Sequence, residues 1–153
     1  MTQILSNITD LLSTQIEQHR NKPFLKAVMA ACALVATANG KVSLYQRMKI
    51  DQMMETQPRL KIFDPHDGID LFNEYIERLQ NDVETAHRQL CEIIKDVIDC
   101  EETADCLIQL CQTILQKKNQ TGSVAQIEIK TLCDLLGAHH KHDYHAGSMA
   151  QNQ

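Results

Sequence analysis

Residues 27–38, Ala27-Val28-Met29-Ala30-Ala31-Cys32-Ala33-Leu34-Val35-Ala36-Thr37-Ala38, form the longest apolar run of the chain, interrupted only by Thr37 and ended by Asn39-Gly40. The run is too short to cross a bilayer, which takes roughly 18–20 apolar residues. Phe24, Leu25, Val28, Met29, Cys32 and Val35 recur at steps of three and four, the spacing of one helical face. Alanines at 30, 31, 33 and 36 keep that helix thin enough for close packing. Asn39-Gly40 reads as its stop.

The same periodicity governs the rest of the chain, and strand-like alternation is nearly absent. Ile4, Leu5, Ile8, Leu11, Leu12 and Ile16 stripe a first helix, which Asn21-Lys22-Pro23 should end, placing Pro23 in the first turn of the next. Ser43 and Gln46 make a capping-box pair opening a helix with Met48, Ile50, Met53 and Met54, and Pro58 closes it. Asp64-Pro65 is a second start signal. From Ile69 to Val97 the stripe is continuous, but Asn81 with Glu84 is another capping-box pair, which predicts a break near residues 80–82. Glu101 and Glu102 suit the first turn of a further helix, and Gly137 ends a last one that begins near Val124. Only 5 Gly, 3 Pro and 4% aromatic residues argue against a loop-dominated or β-sandwich fold. The expectation is all-α: a single compact bundle of about seven helices. Gly40-Lys41-Val42 and Gly122-Ser123-Val124, each followed by a Gln or Glu four residues after the Val, suggest an internal helix-turn-helix repeat. The domain reading is an N-terminal helix over 1–20 packing on the domain, a helical domain over 21–137, and a His-rich flexible tail over 138–153.

Charge narrows the function classes. The net charge is −5, which excludes broad electrostatic binding to nucleic acid. Residues 1–63 carry 8 Lys/Arg against 4 Asp/Glu, whereas residues 64–138 carry 6 against 15. This two-signed pattern suits docking to charged partners as well as plain solvated helix faces. The opening MTQILSNITDLL lacks a basic n-region and a small-residue cleavage site, so the chain is expected to be cytoplasmic, without direct membrane insertion, and its six Cys to be reduced thiols.

Candidate chemistry is sparse. His139, His140, His142 and His145 sit with Asp143 in seven residues, and imidazoles at that density chelate divalent transition metals. A divalent metal ion there is the one cofactor the residues suggest. Glu84 and His87 form half of a di-iron motif whose other half is missing. His87 and Cys91 share one helical face, where both could touch a metal, although a Cys in that position usually acts as a small buried hydrophobe. Met48, Met53 and Met54 could line an adaptable groove, but core packing explains them as well. No nucleophile elbow or phosphate-cradling glycine loop occurs. A thiol-dependent activity would need an exposed, low-pKa cysteine, and the stripes place Cys32, Cys111 and Cys133 on buried faces.

The stretch Phe24 through Ser43, followed by Phe63-Asp64 and Leu71-Phe72-Asn73-Glu74-Tyr75-Ile76-Glu77-Arg78-Leu79, resembles the TerB-like tellurite-resistance family. That family shows an Ala-rich helix, then Ala-Asp-Gly-x-Val/Ile-Ser with an acidic residue three positions on. The resemblance covers about residues 20–137. It implies a single helical domain associated with resistance to tellurite and other stresses. It further implies a non-enzymatic cytoplasmic adaptor whose partners are other proteins, among them a membrane-embedded resistance component. Metal binding through acidic positions is also implied for such domains. Here Asn39 stands where the family favours Asp and Gln46 where it favours Glu, and each change removes a charged oxygen ligand. Two readings follow: an interaction domain, or a divalent-metal-binding protein using the tail histidines or the remaining acidic positions.

Overall fold

A computed structural model describes residues 2–38, 40–97, 101–115 and 130. Five helices occur among them and no strand: α1 (Thr2–Thr37), α2 (Leu44–Thr56), α3 (Pro65–Asn81), α4 (Val83–Lys95) and α5 (Glu101–Leu115). The all-helical class is therefore as expected, but the described residues hold five helices rather than about seven. The two helices expected on either side of Pro23 are one. The helix expected over Val124–Leu136, with the second copy of the Gly-x-Val repeat, lies outside the described residues, apart from a helical Lys130.

Continuity through Pro23 is the largest departure from the sequence reading. Proline lacks the N–H that would bond to the carbonyl four residues back, and its ring crowds that carbonyl, at a cost of about 3 kcal/mol in a helix interior. Even so, Asn21 and Lys22 keep helical geometry, and α1 crosses the expected 20/21 boundary without interruption. One lost bond does not unwind a helix whose following turns are packed in the core, from Phe24 and Leu25 through Ala36. At its far end Thr37 Oγ1 donates to Ala33 O at 2.7 Å, and Gly40 N donates to Thr37 O at 2.9 Å. Gly40 sits at φ +105°, a backbone region that side-chain-bearing residues avoid, and this explains why the stop is a glycine.

The other boundaries follow local chemistry. Ser43 accepts from Gln46 N while Gln46 Oε1 accepts from Ser43 N, at 3.1 and 3.0 Å, which completes the capping box of α2. Asp64 caps α3 by accepting from His66 N at 2.9 Å, and Pro65 occupies the first turn. The break between α3 and α4 falls where it was expected, but the cap is Asp82 rather than Asn81. Asp82 leaves helical angles at φ −152°, ψ 94°, and its carboxylate accepts from Thr85 N at 3.2 Å.

α1 is the central element. It packs against α3, α4 and α5, while α2 packs against α3 and α5. From Ala27 to Ala36 every residue is buried, so this segment is enclosed on all sides. Phe72, Leu90, Ile94, Leu107 and Ile114 complete the core around it. A Cβ on Gly68 would lie 2.5 Å from Met54 Sδ and 3.1 Å from Met29 Cε, so the missing side chain lets α3 close onto α2 and α1. The N-terminal stripe behaves differently. Ile4, Leu5, Ile8, Leu11, Leu12 and Ile16 are 48–65% exposed, although the sequence reading packed this segment on the domain.

Candidate functional site

The continuity of α1 places its residues 15–22 beside the start of α3, where they line a concavity. Because the helix does not end before Pro23, Gln15, Gln18, His19 and Lys22 run alongside the start of α3. Gln18 Nε2 donates to Ile62 O, which ties α1 to the loop leading into α3. A cleft of about 440 Å³ lies between the two helices. Its apolar floor is Leu25, Phe63 and Leu71; one wall carries His19 and Lys22, the other Asp67, Asp70 and Glu74. The three carboxylates stand at i, i+3 and i+7 of α3, which places them on one helical face. All three are exposed, and Glu74 is paired with Arg78 at 2.7 Å.

Such a cleft sets an acidic wall on α3 opposite a wall on α1 that carries Lys22 and His19, and it is open to solvent. Exposed carboxylates attract cations at long range but contribute little as isolated pairs. Among the described residues no group of three His, Cys, Asp or Glu side chains is arranged to hold a metal ion. The tail residues His139, His140, His142 and His145 lie outside the described residues, as does Asn39. Gln46 is buried at 4% exposure with its side chain engaged in the α2 cap, so the polar atom at this position serves helix initiation.

The remaining candidates separate. His87 Nδ1 and Cys91 Sγ approach to 3.6 Å, so they contact each other across one helical turn. Cys32 and Cys111 are buried as the stripes indicated, and Cys133 lies outside the described residues. Burial pushes the Cys106 thiol up, partly countered by the Arg59 guanidinium, which disfavours the thiolate there. Arg59 itself lies 3.6 Å from the centre of the Phe24 ring, a cation–π contact over the core edge. The methionines divide: Met53 and Met54 are core, whereas Met48 is 63% exposed beside Leu44 in a shallow apolar groove between α2 and α3.

The cleft was only half legible in the sequence. The acidic bias beyond residue 64 was read there, whereas the i, i+3, i+7 spacing of Asp67, Asp70 and Glu74, a signal the sequence does carry, was missed. Their apposition to His19 and Lys22 was not, because a break at Pro23 would have carried those residues elsewhere.

Comparison with known proteins yields one informative likeness. The tellurium resistance protein TerB of Alcaligenes sp is 26% identical over 99 residues, which is 65% of this chain and 81% of that protein. No protein-family model and no solved structure matches the chain. The TerB-like resemblance carried by Phe24–Ser43 and the Phe63–Leu79 segment thus has a counterpart in a full comparison: the chain is similar to a TerB tellurium resistance protein.

Proposed function

We propose that the chain is a non-enzymatic, cytoplasmic interaction domain of a tellurite-resistance and stress-response system, and that it docks a basic, partly apolar segment of a partner protein in the α1–α3 cleft. The observation that carries this reading is the cleft itself, with three exposed carboxylates of α3 above an apolar floor. The name of the TerB relative supports the biological setting. A basic amphipathic segment would lay its apolar side on Leu25, Phe63 and Leu71 and present Lys or Arg to Asp67, Asp70 and Glu74. Charge would set the encounter rate and orientation, and the half-buried Leu71 would be the main apolar contact, since Leu25 and Phe63 are already buried in the domain.

The test is in vivo crosslinking in tellurite-challenged cells with the full chain and its Asp67→Lys/Asp70→Lys/Glu74→Lys variant. Loss of the crosslinked partner from the variant, with the helical signal of the folded protein retained, is the expected result. Capture of the same partners by both proteins, persisting in low salt, would sink the docking reading.

A further inference from the structure

The buried residues of α4 are Ala86, Leu90 and Ile94, a spacing of four that pins one face of the helix to the core. His87 and Cys91 each follow a buried residue by one position, so they too stand four apart, half-buried at the border of that face. With the backbone held by the core, the two side chains meet: His87 Nδ1 lies 3.6 Å from Cys91 Sγ. The imidazole also lines a second cleft, of about 390 Å³, shared with Leu34 and Thr37 of α1 and with Leu79 and Val83 at the α3–α4 junction. This cleft gives ions a route to His87. Along α1 it is about 18 Å from Lys22 and the acidic cleft, at 1.5 Å per residue, so the pair has no part in the docking surface proposed above.

We propose that His87 and Cys91 form a two-point chelate for a borderline-soft divalent cation of the zinc type. Thiolate and imidazole are both donors that zinc accepts, whereas magnesium and calcium take oxygen, so the donor set rejects the hard cations. With Zn–S at about 2.3 Å and Zn–N at about 2.0–2.1 Å, a tetrahedral angle at the metal places sulfur and nitrogen about 3.5 Å apart. The 3.6 Å contact matches that bite. A linear arrangement would hold the same two atoms more than about 4 Å apart. The pair therefore needs little rearrangement, and the thiol proton passes to solvent as the metal binds. Closed structural zinc sites use four protein ligands and catalytic ones three. No third His, Cys, Asp or Glu completes such a group among the described residues. Water or a small ligand fills the remaining positions, and the metal is exchangeable rather than structural.

The experiment titrates the reduced full chain with cadmium, because a bond from cadmium to thiolate absorbs in the ultraviolet and one to the tail imidazoles does not. The wild type is expected to develop this band saturably, and zinc to abolish it by competition. Cys91→Ser should lose the band. His87→Ala should keep it with affinity lowered more than about tenfold, since removing even a non-ligating neighbour of a metal costs that much. Circular dichroism of each variant checks that the helices remain. Independently of any variant, the nitrogen-15 resonance of His87 Nδ1 in the wild type should move when zinc is added. Full band intensity in Cys91→Ser, unchanged affinity in His87→Ala, or a stationary Nδ1 resonance overturns the proposal and leaves the 3.6 Å contact as a hydrogen bond alone. Uptake of cadmium without the band also overturns it, and assigns the metal to the tail histidines.

Discussion

The two halves of α1 share one helix and have opposite surroundings. Residues 27–36 are buried on every side, while residues 3–17 are exposed on every side. Their sequences anticipate the difference. The buried half is built of Ala, Val, Met, Leu and Cys with no charged residue, which suits a helix enclosed by neighbours. The exposed half has a single apolar stripe and a polar remainder. One backbone thus serves as the axis of a domain and as a projecting arm. The lesson is that helical continuity need not mark a shared folding unit.

A charge is the sharpest way to test that contrast. Ala30→Asp would bury an unpaired carboxylate in the middle of the core, at a cost beyond about 4–5 kcal/mol, enough to abolish cooperative folding. Ser6→Asp, the same new carboxylate on the exposed half, should change stability by no more than about 0.5 kcal/mol. Thermal melts by circular dichroism would separate the two. Equal sensitivity would show that the first half is packed in solution.

Truncation gives a milder version. Leu25→Ala removes a side chain that is 1% exposed and should cost about 2–5 kcal/mol. Leu12→Ala, at 53% exposure, should cost under about 1 kcal/mol. Urea denaturation of both variants at one low concentration is the appropriate measurement.

Such comparisons also show how much of the molecule was readable beforehand. Boundaries fixed by local chemistry were legible: Ser43 with Gln46, Asp64 before Pro65, and Gly40 all act within three or four residues of themselves. Pro23 misled because its preference for a first turn is a tendency, whereas the surrounding turns decide whether a helix persists. Asn81 and Asp82 are both competent caps, and the choice depends on which residue turns extended. The cleft could not be assembled from periodicity, since Lys22 and Asp70 come to line one cleft only after α1 and α3 are packed.

Gly68 tests the close approach of α3 to the buried half. Gly68→Leu must displace the ends of Met54 and Met29, and overpacking of this kind costs about 1–3 kcal/mol. Gly68→Ala should be much nearer neutral, because the atoms met first belong to a flexible thioether and alanine is the better helix former. A large loss for alanine would mean that the methionines cannot yield. Ser43→Ala removes the cap of α2 and should lower stability by about 1 kcal/mol, measurable as a shifted urea midpoint.

The smallest expected effect concerns Asp82, the hinge between α3 and α4. Hydrogen bonds from the Thr85 side chain and then from its backbone N–H hold the Asp82 carboxyl below the ordinary aspartate value of 3.8. A carboxyl whose pKa is lower in the folded protein contributes stability above its unfolded value and loses it as pH falls through the folded one. The α3–α4 cap should therefore be fully effective at neutral pH and weaken only below the ordinary aspartate range. Carboxyl carbon shifts followed by NMR should show Asp82 titrating at lower pH than an unbonded aspartate. Asp82→Asn keeps a capping oxygen but cannot titrate, so acid should no longer weaken that cap. An Asp82 that titrates at the ordinary value would mean the cap bond is not formed in solution, and α3 and α4 would then be separated by the backbone turn alone.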